Sequence, residues 1–233
     1  MGPSAFAERP GPPESESVLM ARAGDLSGLP LATVAARYGC AVPPDLRRAK
    51  GFVGSLLERA LGATASSRAA PDFEALGVEL KSLPIGKDGT PCESTFVCTI
   101  DLVRIADVEW QASLVKRKLS RVLFVPVEGD RALPVAVRRV GTPFLWTPSA
   151  EHEAALRFDW EELAGIIGRG DAESITGHIG RHLQVRPKAK DAAARRRGVD
   201  ADGTPYAALP RGFYLRATFT AGLLREHFPG PGY

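Results

Sequence analysis

In Pro71-Asp72-Phe73-Glu74-Ala75-Leu76-Gly77-Val78-Glu79-Leu80-Lys81-Ser82-Leu83, Asp72, Glu79 and Lys81 set two carboxylates and an amine at the spacing a metal site needs. From Val78 to Leu83 apolar and polar residues alternate, the period of a half-buried strand. That pattern sends Val78 and Leu80 into a core and leaves Glu79 and Lys81 together on the other face. Asp72 follows a proline and precedes Gly77, so a short turn would bring its carboxylate back beside Glu79. Two carboxylates so close repel unless a cation lies between them, and hard oxygen ligands suit magnesium. Lys81 would then steady an attacking water or the charge on a phosphorane, which is the chemistry of a metal-dependent phosphodiesterase. A plainer reading stands beside it. It makes Asp72 the cap of a short helix starting at Phe73, and Glu79 with Lys81 an exposed ion pair. Asp-x6-Glu-x-Lys is too short to choose between the two.

Upstream, residues 1–16 carry Pro3, Pro10, Pro12, Pro13, Glu14 and Glu16, a composition that resists packing and predicts a disordered tail. Residues 17–38 show helical spacing broken by Gly28 and Pro30, so two short helices are expected. A third helix is expected over about 50–61, with Phe52, Val53, Leu56, Leu57, Ala60 and Leu61 as its apolar face. Glu58 interrupts that face, either as an edge carboxylate reaching water or as a functional acid. Downstream, 94–100 and 121–127 are rich in β-branched and apolar residues, like central strands. A long helix over 149–168 has Ser149 at its cap and Leu156, Trp160, Leu163, Ile166 and Ile167 facing inward. Strands flanked by helices predict a mixed α/β core, with residues 17–233 forming a single domain.

The chain has 233 residues, 44% hydrophobic and 24% charged, with a formal charge of +3. Those values are ordinary for a globular protein, and so small a net charge does not by itself imply a polyanionic partner. Cys40, Cys92 and Cys98 have no zinc-ribbon spacing, and no basic start precedes an apolar stretch, so a reduced, cytoplasmic protein is expected. No apolar run is long enough to span a bilayer.

Positive charge gathers in the last quarter: Arg181, Arg186, Lys188, Lys190, Arg195, Arg196, Arg197, Arg211 and Arg216, interleaved with Tyr206, Phe213 and Tyr214. A basic and aromatic mixture suits a surface that meets phosphates and base edges. Arg195, Arg196 and Arg197, between small residues and Gly198, read as a solvated loop. In Arg186-Pro187-Lys188 the proline stiffens the backbone between two cations, which favours a specific contact.

Several longer stretches join the acidic set: Lys50-Gly51-Phe52-Val53-Gly54-Ser55-Leu56-Leu57-Glu58, Thr95-Phe96-Val97-Cys98, Arg121-Val122-Leu123-Phe124-Val125-Pro126-Val127-Glu128-Gly129, Leu183-Gln184-Val185-Arg186-Pro187-Lys188 and Leu209-Pro210-Arg211-Gly212-Phe213-Tyr214-Leu215. In this order they closely resemble the MutH family of methyl-directed mismatch-repair endonucleases, from about residue 26 to residue 228. The resemblance implies a restriction-endonuclease-like fold, α/β, in which a mixed β-sheet is flanked by helices and two lobes form a DNA-binding cleft. It implies a magnesium-dependent enzyme that nicks the unmethylated strand of double-stranded DNA at hemimethylated GATC sites. Activation by MutL, after MutS has found a mismatch, is implied as well; the short chain with one active site adds the expectation of a monomer.

Carried over residue by residue, the resemblance makes Asp72, Glu79 and Lys81 the catalytic set, with Glu58 an additional acid and Lys118 a supporting amine. Asp72, Glu79, Glu58 and the Leu80 carbonyl would serve the metal. Phe96, Arg186 and Tyr214 would read bases and methylation, with Glu93, Pro187, Lys188 and Lys50 as further DNA-binding candidates. The chain departs from the pattern in places. Residues 63–68 lack an expected glycine and lysine, Arg216-Ala217 replaces a usual pair of lysines, and residues 191–208 match poorly.

Three rivals remain. A stand-alone GATC-specific restriction endonuclease would share the motifs but commonly dimerises or carries extra domains. A noncatalytic DNA-binding module would leave the acids purely structural. A zinc hydrolase built on His178 and His182, one helical turn apart, lacks a general-base glutamate between its histidines.

Overall fold

The computed structural model describes residues 9–65, 69–188, 193–200 and 202–230. Residues 1–8 of the expected tail, Ser66, Ser67 and Arg68 of the loop after the third helix, and Lys190 and Asp191 lie outside the described residues. In chain order the helices are α1 (Glu16–Gly24), α2 (Leu31–Arg37), α3 (Phe52–Leu61), α4 (Leu114–Leu119), α5 (Ala150–Gly168) and α6 (Ala217–His227). The strands are β1 (Glu79–Ile85), β2 (Thr95–Thr99), β3 (Val122–Glu128), β4 (Phe144–Trp146), β5 (Leu183–Pro187), β6 (Arg196–Val199), β7 (Pro205–Ala208) and β8 (Arg211–Leu215). They fall into two compact units, the first drawn from the chain up to Cys92, Ser120–Thr147 and the end from Leu224, the second from Glu93–Leu119 and Pro148–Leu223.

The first unit is built on a mixed sheet of order β1-β3-β4. β1 runs parallel to β3, from Glu79 opposite Val122 to Ile85 opposite Glu128, and β4 is antiparallel to β3. β3 is buried from Val122 to Val127, which fits its unbroken apolar sequence and its central place. Leu56, Leu57, Ala60 and Leu61 of α3 join Val78, Leu80, Leu123 and Val125 in one hydrophobic core, to which α1 adds Leu19 and Ala23 and α2 adds Leu31 and Val34. Each fully buried leucine there contributes about 1.5–3 kcal/mol.

From residue 9 onward the tail is held against this unit, contrary to what its composition predicts. Pro13 is buried, the Arg9 guanidinium donates to the Ala63 carbonyl at 2.5 Å, and Arg22 donates to the carbonyls of Gly11 at 2.7 Å and Leu61 at 3.2 Å. Proline-rich backbone has carbonyls and few donors, so cationic side chains supply what it needs. Ser15 then caps α1 by accepting from the Val18 amide.

The second unit holds an antiparallel sheet of order β2-β8-β5 and a separate hairpin of β6 and β7. The hairpin turn is closed by the Asp200 carboxylate, which accepts from the amides of Asp202 and Thr204. α5 packs on β5 and buries Leu156, Trp160, Leu163 and Ile167, with Ile166 half-buried. Ser149 caps this helix by accepting from the His152 amide.

The expected single central sheet is therefore replaced by small sheets in separate units. Residues 94–100 pair with β8, across more than a hundred residues of sequence, and not beside β1 or β3. Nothing in a local pattern encodes so distant a partner. Arg195, Arg196 and Arg197 are exposed as expected of a solvated run, but Arg196 and Arg197 belong to β6.

Candidate active site and nucleic-acid interface

Between Asp72 and Glu79 the chain folds back on itself. Phe73 and Val78 exchange main-chain hydrogen bonds, with Phe73 N to Val78 O at 2.9 Å and Val78 N to Phe73 O at 3.3 Å. A 3-10 turn over Glu74–Leu76, ended by Gly77 at φ 66°, fills the loop between them. This pairing sets Asp72 next to the start of β1. Its Oδ2 accepts the Leu80 amide at 2.9 Å, so the carboxylate is aimed by the backbone. Asp72 does not cap a helix at Phe73.

The register of the sheet identifies which groups share that edge. Glu79 donates its amide to Arg121 O on the β3 side. Main-chain groups of successive strand residues point to opposite sides, so those of Leu80 point away from β3, toward Asp72. The amide and carbonyl of one strand residue point the same way, which puts the Leu80 carbonyl on the edge that carries the Asp72 carboxylate. Glu79 and Lys81 project from the adjacent face and meet, with Lys81 Nζ 2.6 Å from Glu79 Oε1.

This pair is not on an open surface. Glu79 is 1% exposed, the Lys81 side chain 13%, and Asp72 8%. An ion pair in that setting is costly to desolvate, so its presence points to a task other than stability. Alternation alone predicts a half-exposed face and does not reveal this burial.

Glu58, half-buried on α3, helps organise the same region through its backbone. Its carbonyl accepts from Gly62 at 3.1 Å and Ala63 at 2.9 Å, and the following amides of Thr64 and Ala65 donate to the Asp72 carbonyl at 2.9 and 3.2 Å. The segment after α3 is thereby stitched to Asp72, at the start of the turn that leads into β1. Among the described residues no three His, Cys, Asp or Glu side chains gather closely enough to hold an ion. The oxygen donors brought together are the Asp72 carboxylate and the Leu80 carbonyl, with the Glu79 carboxylate on the neighbouring residue, and these are hard ligands of the kind magnesium takes. Lys50 is exposed just ahead of α3. Lys118 is half-buried on α4, in the second unit.

The second unit gathers Phe96, Arg186, Lys188 and Tyr214 on one face of its sheet. Phe96 of β2 lies opposite Tyr214 of β8, which lies opposite Gln184 of β5. The rings of Phe96 and Tyr214 meet edge-on at 5.3 Å, and the Lys188 ammonium sits 4.1 Å from the centre of the Phe96 ring. Gln184 donates to Ser94 Oγ at 2.6 Å. Arg186, Pro187 and Lys188 are exposed, as is Glu93. Burial raises the Tyr214 hydroxyl pKa above its ordinary value, with Arg186 pulling it down and Glu93 pushing it up. The phenol is thus a neutral hydrogen-bonding group with both charges in its field.

Gly212 makes the arrangement possible, since a Cβ there would stand 2.8 Å from Phe96 Cε2 and 3.0 Å from the Cys98 carbonyl oxygen. The opposite face of the sheet, with Val97, Leu183, Val185, Phe213 and Leu215, is buried. Sequence alone does not mark Gln184, Ser94 and Gly212 as functional. Their signal was faint: Gln184 alternates with Arg186 and Lys188, so all three share a face.

A family model described as DNA mismatch repair enzyme MutH matches residues 61–159. The chain is 51% identical over 225 residues to the DNA mismatch repair protein MutH of Salmonella paratyphi A (strain ATCC 9150 / SARB42), covering 97% of each chain. It is 52% identical over 217 residues to proteins of the same name from Salmonella newport (strain SL254) and Salmonella enteritidis PT4 (strain P125109), covering 93% of this chain and 94% of each relative. The chain belongs to the MutH family.

Two features read from sequence take on different meanings in this MutH family member. His178 and His182 do not lie one turn apart on a helix, because residues 177–182 form turns and bends ahead of β5. Arg216, which stands where a pair of lysines is usual, turns its guanidinium onto the carbonyls of Gly177, Ile179 and Gly180. No helix among the described residues is long and apolar enough to cross a membrane.

Proposed function

We propose that this MutH family member is a magnesium-dependent endonuclease that nicks the unmethylated strand at hemimethylated GATC sites in mismatch repair. The observation that carries the reading is the aimed Asp72 carboxylate beside the buried Glu79–Lys81 pair on the edge of β1. Asp72, Glu79 and the Leu80 carbonyl would hold the ion, and Glu58 would help hold a second ion or its water. Magnesium bound there supplies a more acidic water and neutralises charge building on the phosphate oxygens. Lys81, fixed by Glu79, orients the attacking water for in-line displacement, leaving a 5′-phosphate and a 3′-hydroxyl. Lys118 is a supporting amine.

On the other unit, Arg186 presents a planar fork suited to the two major-groove acceptors of guanine. Tyr214 meets the adenine amino group, where an added methyl collides or breaks a hydrogen bond. Phe96 and Pro187 shape the contact, and Lys188 and Glu93 set its charge, while Lys50 of the first unit is a further DNA-binding residue. The reading includes a restriction-endonuclease-type fold in which both units address the duplex. It also includes action as a cytoplasmic monomer and stimulation by MutL after MutS has found a mismatch.

A plasmid with GATC sites, either adenine-methylated or not, tests the proposal with and without magnesium and MutL. Single-strand breaks at unmethylated GATC that require magnesium and rise with MutL are expected. Double-strand breaks independent of MutL would instead indicate a stand-alone restriction enzyme, and no cleavage under any condition would reject catalysis.

A further inference from the structure

Asp159 is a buried carboxylate that the cleavage chemistry does not use. It sits on α5, 1% exposed, and its oxygens accept three successive amides: Arg181 at 2.9 Å, His182 at 2.5 Å and Leu183 at 2.8 Å. Arg216 treats the same segment from the acceptor side. Its guanidinium donates to the carbonyls of Gly177 at 2.6 Å, Ile179 at 3.0 Å and Gly180 at 2.9 Å, and its amide donates to His182 O at 2.8 Å. Charge-assisted bonds of this kind are stronger than neutral ones. One carboxylate and one guanidinium therefore hold residues 177–183 between them.

The turn they hold admits no slack. Gly180 has φ 78°, and a Cβ there would lie 2.0 Å from the Leu183 carbonyl oxygen. Leu183 is the last clamped residue and the first of β5, and Arg186 lies roughly 10 Å farther along that strand. Burying a carboxylate on a helix costs more than a packed apolar residue in its place, so stability is a poor account of Asp159. Fixing the position of a strand that must present a bidentate fork is a better one, because such contacts tolerate little displacement.

We propose that Asp159 and Arg216 are positioning residues that set where β5 begins and so aim Arg186 and Tyr214 at their bases. This rests on the recognition reading given above. Asp159→Asn keeps the size and removes the charge, Arg216→Lys keeps the charge and removes the fork, and Glu161→Gln on the exposed side of α5 is the control. Amide hydrogen exchange on the full chain should quicken about tenfold over residues 181–188 in both variants, with the rest of the second unit unchanged. In nicking assays the KM for a GATC duplex should rise about tenfold. The preference over a duplex with one base changed should fall by a similar factor, with kcat within about twofold of the parent.

Unchanged exchange over 181–188, or a lowered melting temperature with full discrimination retained, would overturn the proposal. If Asp159→Asn does not fold, Arg216→Lys decides by the same readouts. If the parent fails to cut GATC, the functional reading falls on its own, while exchange over 184–188 still decides whether the clamp governs β5.

Discussion

The edge of β1 and the face of the β2-β8-β5 sheet solve the same problem, holding polar groups still, by opposite means. At β1 the core set, Asp72, Glu79, Leu80 and Lys81, lies within one short stretch of chain, and the backbone hydrogen bonds of one turn place the Asp72 carboxylate. On the second sheet, Phe96, Gln184, Arg186 and Tyr214 come from three distant stretches and are placed by strand pairing. Local construction makes chemistry hard to dislodge. Long-range construction makes recognition adjustable and also easier to disturb.

The largest effect should come from the compact site. Asp72→Ala and Lys81→Ala should each lower single-turnover nicking at least about a hundredfold while gel-shift affinity for GATC DNA is kept. A variant that cuts normally would break the comparison at its first term. Arg186→Ala should come next, lowering preference for GATC over a one-base variant by about 1–3 kcal/mol, or about five- to 150-fold, measured as a ratio of kcat/KM. Equal loss on every sequence would mean that the two regions do not divide chemistry from reading.

Tyr214→Ala should reduce the methylation preference about tenfold, read from strand-specific nicking of hemimethylated duplexes. Because burial raises the Tyr214 pKa, its phenol stays protonated through the range where an ordinary tyrosine does. The parent's methylation preference should therefore stay flat between about pH 7 and pH 9 and weaken only as pH rises beyond the ordinary tyrosine value. The smallest change belongs to Lys188→Ala, which should weaken binding evenly across sequences and make the salt dependence shallower by about one unit of slope.

Much of the first region was legible in sequence, for the reason that makes it robust. Alternation over 78–81 gives the start of the strand, Gly77 gives the turn, and the apolar faces of α3 and α5 follow helical spacing. Burial of Glu79 was hidden, since alternation says which residues share a face and not what covers it. Asp159 was hidden more thoroughly. It follows Phe158, which is 70% exposed, so the apolar and the charged residue of this pair stand the opposite way from what polarity predicts. Its partners are amides of a turn about twenty residues away, and no side-chain pattern announces them. The sheet of the second unit escaped because β5 and β8 are short and pair across the chain's last third.

The bare backbone at Gly212 ties the fate of two positions together. With Phe96 resting against it, any lineage that gains a side chain at 212 must surrender the aromatic ring or shift it in the same step. A change at 212 should then survive more often when position 96 has already changed, so the order of the two substitutions matters.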